Sequence, residues 1–281
     1  MLVLASAPGA ARAGWGDYRT QAYRGPGVWI DRYDNAALGH PVRTVRRAAA
    51  AGVRTLYVET GSWLLPPDVD VIRPAAISTI IEAAHARGMR VVAWYLPALS
   101  QPRRDFRRTM AAIEFTTPGG HRFDSFALDI EATLIRTLRR RNRALLDLSK
   151  RIRSAAGPEY TLGAIVPDDR SSTISPGLWP GFPHARLGRI YDVFLPMSYS
   201  TVRGRGARFV YRYTLDNLAT IRERTRNPRV AIHPVGGLAN KLDRGEARAV
   251  VRAARDGGAI GASFYTLRLS GREEWRALDG L

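Results

Sequence analysis

Two acidic residues end an apolar run in the middle of the chain. Residues 123–133, FDSFALDIEAT, carry Asp129 and Glu131 at the far end of a strand-like stretch without turn residues. Side chains alternate along a strand, so both carboxylates are predicted to lie on one face, about 7 Å apart along the backbone. Like charges held this close in a partly dry pocket raise the pKa of one of them, and a glutamate with a raised pKa is a general acid near neutral pH. A structural pair held by an arginine is the alternative.

Apolar, strand-like runs alternate with helical patterns along the chain. Helical stretches such as PVRTVRRAAAAG and ISTIIEAAHARG each end at a glycine. Eight continuous apolar strands followed by helices predict an α/β fold with parallel pairing, a single (β/α)8 TIM barrel. A doubly wound open sheet is the alternative, disfavoured because no Gly-rich phosphate loop follows the first strand. The predicted strands are 27–31, 54–60, 89–96, 125–131, 160–166, 190–199, 229–235 and 259–266.

Further polar and aromatic residues fall at the predicted strand ends, where a barrel builds its active site. Asp31 closes the first strand, Glu59 closes the second and Asp168 follows the fifth. An acidic pocket lined by rings suits a sugar, whose C–H faces stack on the rings while its hydroxyls meet carboxylates. Structural roles stay open for Glu59, for Trp94 as a core residue and for His233 as an interior histidine. The other candidates at this rim are Trp29, Trp63, Trp94, Tyr95, Trp179, Tyr199, His233 and Tyr265.

The composition is strongly basic and lacks cysteine. Lysine and arginine number 43 against 25 aspartate and glutamate residues, which gives a formal net charge of +18. Arginines recur on the predicted solvent faces of helices, which favours a solvated surface over a specific nucleic-acid interface, although a positive field favours an anionic cell-surface polymer. Thiolate chemistry is excluded, and no spacing of histidines and acids indicates a metal, so no cofactor is predicted.

The amino terminus resembles the end of an export signal. Residues 1–13 contain a short apolar run followed by Ala11, Arg12 and Ala13, which is typical of a small-residue cleavage site. We therefore expect residues 1–13 to be the remnant of such a signal and residues 14–281 to form the barrel. No later run approaches the roughly 20 apolar residues of a membrane-spanning helix. The expected location is secreted or at the cell surface, with the cytoplasm as the alternative.

The acidic strand resembles the fourth barrel strand of glycoside hydrolase family 18, the chitinase group, which reads DxxDxDxE. In DSFALDIE, Asp124, Asp129 and Glu131 match this motif, and Ala127 stands where the middle aspartate belongs. The resemblance implies that Glu131 protonates the glycosidic oxygen and that Asp129 orients a substrate acetamido group acting as the internal nucleophile.

Two other strands resemble the same family less closely. The segment PMSYS is similar to its sixth-strand motif MxYD through Met197 and Tyr199, and Ser200 replaces the aspartate. The resemblance implies that Tyr199 hydrogen-bonds the acetamido group and that Met197 lies at the substrate site. The family's eighth-strand tryptophan is replaced here by Phe264 or Tyr265.

A second resemblance is to the family 25 lysozymes, which carry DxE at a strand end and an aspartate on the first strand. It implies Glu131 as the acid, with Asp129 and Asp31 as its carboxylate partners. Together these features predict a glycosidase, retaining by a substrate- or carboxylate-assisted route, acting on a β-linked, amino-sugar polysaccharide such as a chitin-like, poly-glucosamine or peptidoglycan chain. The alternatives are a carbohydrate-binding barrel without catalysis and a basic nucleic-acid-binding or adhesion protein.

Overall fold

Parallel strands form a closed barrel in the computed structural model, which describes residues 19–168 and 179–281. The predicted export segment at residues 1–13 lies outside them. Neighbouring strands pair in the order of the chain, β5 pairs with β6, and the last strand pairs with the first, which closes the sheet. The strands are β1 Gly25–Ile30, β2 Thr55–Ser62, β3 Arg90–Leu96, β4 Ser125–Asp129, β5 Leu162–Pro167, β6 Val193–Met197, β7 Ala231–Ile232, β8 Val235–Leu238 and β9 Gly261–Tyr265. The predicted (β/α)8 barrel is confirmed.

The seventh strand of the barrel is split into two pieces, β7 and β8, whereas the sequence predicts one run over 229–235. Both pieces lie beside β6, and β8 also pairs with β9. The break falls at His233 and Pro234. Proline has no N–H to donate to a neighbouring strand, so the ladder is interrupted at this residue.

Helices surround the barrel with their apolar faces turned towards it. In the helix between the fourth and fifth strands, Leu145, Leu146 and Ile152 are buried. Arginines on its other face, such as Arg140 and Arg151, are exposed, as the helical period predicts. None of the helices within the described residues is both long and apolar enough to cross a membrane. The helices are α1 Asn35–Gly39, α2 Pro41–Ala50, α3 Pro74–His85, α4 Pro102–Ile113, α5 Leu138–Ala156, α6 His184–Leu187, α7 Ala207–Thr225, α8 Arg244–Asp256 and α9 Arg272–Leu278.

A short 3₁₀ turn before the first strand, Gln21–Tyr23, closes the amino-terminal end of the barrel. The hydroxyl of Tyr23 lies 2.7 Å from the Ser125 hydroxyl and 3.1 Å from the Phe126 carbonyl. A Cβ on Gly163 would lie 2.6 Å from that hydroxyl, so only glycine fits there. This end of the barrel is therefore filled by side chains of the described residues.

Candidate active site

A narrow pocket opens at the carboxyl-terminal end of the barrel. Its free space is about 20 Å³, which is room for one small polar group, so the body of a larger ligand has to lie above it. Asp129 is the last residue of β4, and Tyr199 and Tyr265 follow or end β6 and β9 at the same mouth. The pocket is lined by Trp29, Trp94, Asp129, Ile165, Met197, Tyr199, Val235 and Tyr265.

Asp129 is the buried acid of this pocket. Its side chain is 7% exposed, and its Oδ1 atom has no hydrogen-bond partner among the described residues. Burial raises the pKa of Asp129 well above its ordinary value, and the negative charges of Glu131 and Glu59 raise it further. A buried carboxyl oxygen without a partner is costly, and a ligand that donates a hydrogen bond would remove that cost.

Glu131 is exposed and lies two residues beyond Asp129, just after the end of β4. The backbone of Ile130 still donates to the carbonyl of Ile165, 2.9 Å away, so the extended pairing continues past the strand end. Desolvation raises the pKa of Glu131. The geometry thus gives one acid that reaches solvent and one that faces the pocket.

Two further carboxylates stand at the same mouth. Glu59 is 4% exposed and accepts a hydrogen bond from the backbone N–H of Arg32 at 2.9 Å. Burial raises the pKa of Glu59 to about 7, against the opposing effect of Arg32. Asp31 accepts from the Tyr33 N–H at 2.9 Å and lies 3.6 Å from Arg268, which follows β9. Arg32 and Arg268 are the site residues that sequence reasoning missed. Arg32 directly follows the predicted site residue Asp31 in the sequence, and this position indicates that it lies at the same strand end.

Two tyrosines complete the polar part of the site. Burial raises the pKa of Tyr199 well above its ordinary value, with added effects from Tyr265, Asp129 and Glu131. The pKa of Tyr265 is raised in the same way, chiefly by burial and then by Asp31, Glu59 and Asp129. Both phenols therefore stay protonated and can donate hydrogen bonds. The Tyr265 hydroxyl lies 3.4 Å from Asp31 Oδ2.

Aromatic rings form the rest of the wall. Trp29 stacks on Tyr57 with ring centroids 4.3 Å apart, and its Nε1 donates to Ser263 Oγ at 2.8 Å. The ring of Trp94 meets Trp29 edge-on at 5.9 Å. Its buried Nε1 has no acceptor within the described part of the chain. The pocket therefore holds one unused donor, on Trp94, and one unused acceptor, on Asp129, which can bind a group that both accepts and donates.

Four predicted site residues contact other parts of the scaffold, and Trp63, a further rim candidate, does not line the pocket either. Tyr95 points to the outside of β3, where its hydroxyl donates to Asp105 at 2.7 Å, because neighbouring Trp94 already takes the inner face. Trp179 packs beside the helices, against Phe182 and under the guanidinium of Arg141. These two predictions of rim positions are wrong.

Asp168 and His233 are also placed elsewhere than predicted. Asp168 follows β5 but accepts a hydrogen bond from Tyr213 of α7. His233 is fully buried inside the barrel, with Nδ1 2.7 Å from the Tyr23 carbonyl at the closed end. Burial lowers the pKa of His233 to about 4, so the ring is neutral. Both residues hold the scaffold together below or beside the pocket.

The residues that match the family 18 motif DxxDxDxE lie at both ends of β4. Asp124 lies before the strand and accepts from Arg90 and from the N–H of Val91, so it ties β3 to β4 at the closed end. Of the two candidates for the eighth-strand aromatic position, Phe264 packs in the outer core and Tyr265 lines the pocket. Among the described residues there is no group of three or more histidine or acidic side chains that could hold a metal ion.

The barrel is similar to those of solved polysaccharide-degrading enzymes. The spore cortex-lytic enzyme SleL of Bacillus cereus superposes with a TM-score of 0.67 at 11% identity over 92% of this chain and 74% of that chain. A chitinase from Chromobacterium violaceum has a TM-score of 0.64 at 13% identity, covering 92% and 98%.

An endo-beta-1,4-mannanase from Thermotoga petrophila has a TM-score of 0.65 at 10% identity, covering 87% of this chain and 68% of that chain. No family model matches the sequence, and no curated protein matches it. At these identities the likeness concerns the fold, which is the (β/α)8 barrel that chitinase-like glycoside hydrolases use.

Proposed function

We propose that the protein is a glycoside hydrolase that cleaves a β-linked, amino-sugar polysaccharide, with Glu131 as the general acid. The observation that carries the proposal is the pair of carboxyl groups at the barrel mouth. Asp129 is buried, with one oxygen that has no hydrogen-bond partner among the described residues, and Glu131 is exposed beside it with a raised pKa. Among the solved enzymes with the same fold, one is named a chitinase and one a spore cortex-lytic enzyme, which supports a polysaccharide substrate.

The proposed reaction retains the configuration at the anomeric carbon. Glu131 gives its proton to the glycosidic oxygen as the bond from that oxygen to the anomeric carbon breaks. The carbonyl oxygen of the sugar's own acetamido group forms a bond to the same carbon, while Asp129 accepts its N–H and Tyr199 donates to its oxygen. Water then attacks the anomeric carbon, gives a proton to the Glu131 carboxylate and releases the acetamido group.

The size and lining of the pocket support these roles for Glu131, Asp129 and Tyr199. Its free space of about 20 Å³ holds only a few atoms, so we place the amide N–H end of the acetamido group there, next to Asp129, and the sugar ring above it. The half-buried ring of Tyr265 at the rim of the pocket is a surface against which an apolar sugar face can pack. Export to the cell surface, where such polymers occur, is part of the same proposal.

A carbohydrate-binding barrel without catalysis is the second candidate. One observation favours it: Ala127 is fully buried on the inner face of β4, directly below Asp129, at the place of the motif's middle aspartate. Without that carboxylate, Asp129 has one fewer neighbour to exchange a proton with during the reaction. Binding of chitin-like oligosaccharides without release of any product would favour this candidate.

The deciding experiment compares Glu131→Gln with wild type on a panel of chitin-like, poly-glucosamine and peptidoglycan glycans, with products read by mass spectrometry. We expect a fall of at least about 100-fold in turnover with binding retained, since general acid catalysis contributes about 10²–10⁴-fold. Glu114→Gln, an exposed residue outside the site, is the control and should keep full turnover. Equal turnover by wild type and Glu131→Gln on every glycan that is cleaved would refute the role of Glu131.

A further inference from the structure

A second, larger cavity lies on the side of the barrel, between α5 and α7. Both of these helices have 19 residues, whereas α6 between them has only four. The short helix leaves a trough of about 970 Å³ between its long neighbours. No step of the proposed hydrolysis uses this trough, and the inference below does not depend on that reaction.

One wall of the trough is a row of cations on α5. Arg139, Arg143 and Lys150 all line it, and their spacing of four and seven residues puts them on one face of the helix. All three are exposed and have no ion-pair partner among the described residues. At about 1.5 Å per residue the row is about 16 Å long. A row of this length suits an extended polymer better than a single small anion.

The rest of the trough adds three more arginines. Arg186 comes from α6 between the two walls, Arg224 comes from the last turn of α7, and Arg226 directly follows α7. The lining also contains two exposed acids, Asp147 and Glu223. Six cations against two acids leave a clear positive excess, and a cleft of one sign concentrates anionic ligands.

The two acids narrow the choice of polymer. Asp147 and Glu223 would repel a chain that carries a phosphate at every unit, but they can accept hydrogen bonds from hydroxyl groups. Among the described residues, two aromatic rings line the trough, Phe182 and His184, and both are buried, so neither offers an exposed face on which a nucleic-acid base could stack. Charges alternating with hydroxyls are typical of an acidic polysaccharide.

We propose that the trough between α5 and α7 is a binding site for an anionic polysaccharide, separate from the pocket at the barrel mouth. The row on α5 contacts the acid groups of the chain, and Asp147 and Glu223 accept hydrogen bonds from its hydroxyls. Such a site would hold the protein on an acidic surface polymer while the barrel mouth, at the end of the barrel, remains free.

The test measures binding of a fluorescently labelled hyaluronan fragment, with neutral dextran and a DNA duplex as comparison probes. The triple variant R139Q/R143Q/K150Q should bind hyaluronan about tenfold or more weakly than wild type, because three exposed charge pairs together account for a change of that size. The variant R139K/R143K keeps the charges and should retain binding. Thermal unfolding checks that each variant is folded.

The matched control removes the same number of charges from the other side of the barrel. R43Q/R46Q/R47Q on exposed positions of α2 should bind hyaluronan within about twofold of wild type. A neutral chitin-like oligosaccharide, the ligand proposed for the barrel mouth, should not displace the labelled hyaluronan from wild type, which separates this site from the catalytic proposal. Three results would overturn the inference: no hyaluronan binding at low salt, equal losses in the two triple variants, or tighter binding of the DNA duplex through the same residues.

Discussion

At the scale of the residue, the acids at the barrel mouth differ in what neutralises them. Asp31 lies near Arg268, and Glu59 accepts a hydrogen bond from the backbone N–H of Arg32. Neither Asp129 nor Glu131 has an arginine or lysine partner within residues 19–168 and 179–281. Within the described residues, this strand end therefore does not hold the arginine-bound structural pair that the sequence left open. Desolvation raises the pKa of both acids, and the negative charges of Glu131 and Glu59 raise that of Asp129 further.

The two tryptophans of the pocket allow a matched test of the unused donor. Trp29→Phe removes an N–H that is bonded to Ser263, whereas Trp94→Phe removes one that has no acceptor in residues 19–168 and 179–281. Both changes delete the same volume, so the loss of that volume should largely cancel between them. We predict that Trp29→Phe is more destabilising than Trp94→Phe by about 1–3 kcal/mol, measured by urea unfolding. Equal losses would mean that the Trp94 N–H has a partner in solution.

Glu59 makes stability depend on pH in a definite direction. Its pKa is raised from 4.5 to about 7, so between these values the folded state holds a proton that the unfolded state has lost. The contribution of Glu59 to the free energy of unfolding is therefore fully present below about pH 4.5 and is lost as the pH rises through about 7.

We therefore predict that Glu59→Gln, which keeps an oxygen for the Arg32 N–H, flattens this decline and is more stable than wild type above pH 7. The gain should be up to about 3 kcal/mol in the free energy of unfolding, from a pKa shift of about 2.5 at 1.36 kcal/mol per unit. Urea unfolding at several pH values measures it, with Glu114→Gln as the control. An unchanged pH profile would show that Glu59 titrates at its ordinary pKa.

At the scale of the element, the alternation of strand residues explains which of the predicted site residues line the pocket and which lie elsewhere. In β4 the rule places Ala127 and Asp129 on the inner face, where the structure has them. In β3 the same rule forbids neighbouring Trp94 and Tyr95 from sharing a face, so assigning both to the rim conflicted with the geometry of a strand. The position of Trp179 follows instead from packing against α5, which local sequence does not encode.

The loop after β2 is held by a buried arginine of α4. Arg108 is fully buried, its Nη1 donates to the Ser62 carbonyl at 2.7 Å, and its Nη2 donates to the carbonyls of Leu65 and Pro66. Next to it, the exposed Arg107 bonds Asp70 of the same loop. One helix thus contacts one loop through two arginines that differ chiefly in burial.

Arg108→Met is predicted to lower the free energy of unfolding by about 2–5 kcal/mol, because it leaves buried carbonyl groups without donors. Arg107→Met, the matched control, should cost about 1 kcal/mol or less, as expected of an exposed ion pair. Thermal and urea unfolding of the two variants measure the difference. Similar losses in both would indicate that water reaches the carbonyls and replaces the guanidinium.

At the scale of the whole molecule, barrel closure brings distant residues to one mouth. Asp31 and Tyr265 are separated by most of the chain, yet their side-chain oxygens lie 3.4 Å apart because β1 and β9 pair. Counting eight strand–helix units was enough to predict this closure. The trough beside α6 could not be predicted in the same way, since it depends on how two long helices pack around a short one.

The net charge of +18 makes a prediction for the molecule as a whole. With 43 cationic against 25 acidic residues, repulsion between surface charges opposes the compact state. Raising NaCl from about 0.01 M to about 0.15 M shortens the Debye length from about 30 Å to about 8 Å and screens most of that repulsion. We expect Tm to rise by about 2–4 °C, which corresponds to about 1 kcal/mol for a chain of this size.

The control for the salt effect is a protein with fewer charges. R43Q/R46Q/R47Q removes three cations from the exposed face of α2 and should show a smaller rise in Tm over the same range of NaCl. A flat or falling Tm in the wild type would contradict the prediction. It would mean that salt weakens favourable surface pairs such as Arg19–Glu159, whose N···O distance is 2.6 Å, as much as it relieves repulsion. Because screening acts on all surface charges together, the sign of the change in Tm reports the balance between repulsion and pairing over the whole surface.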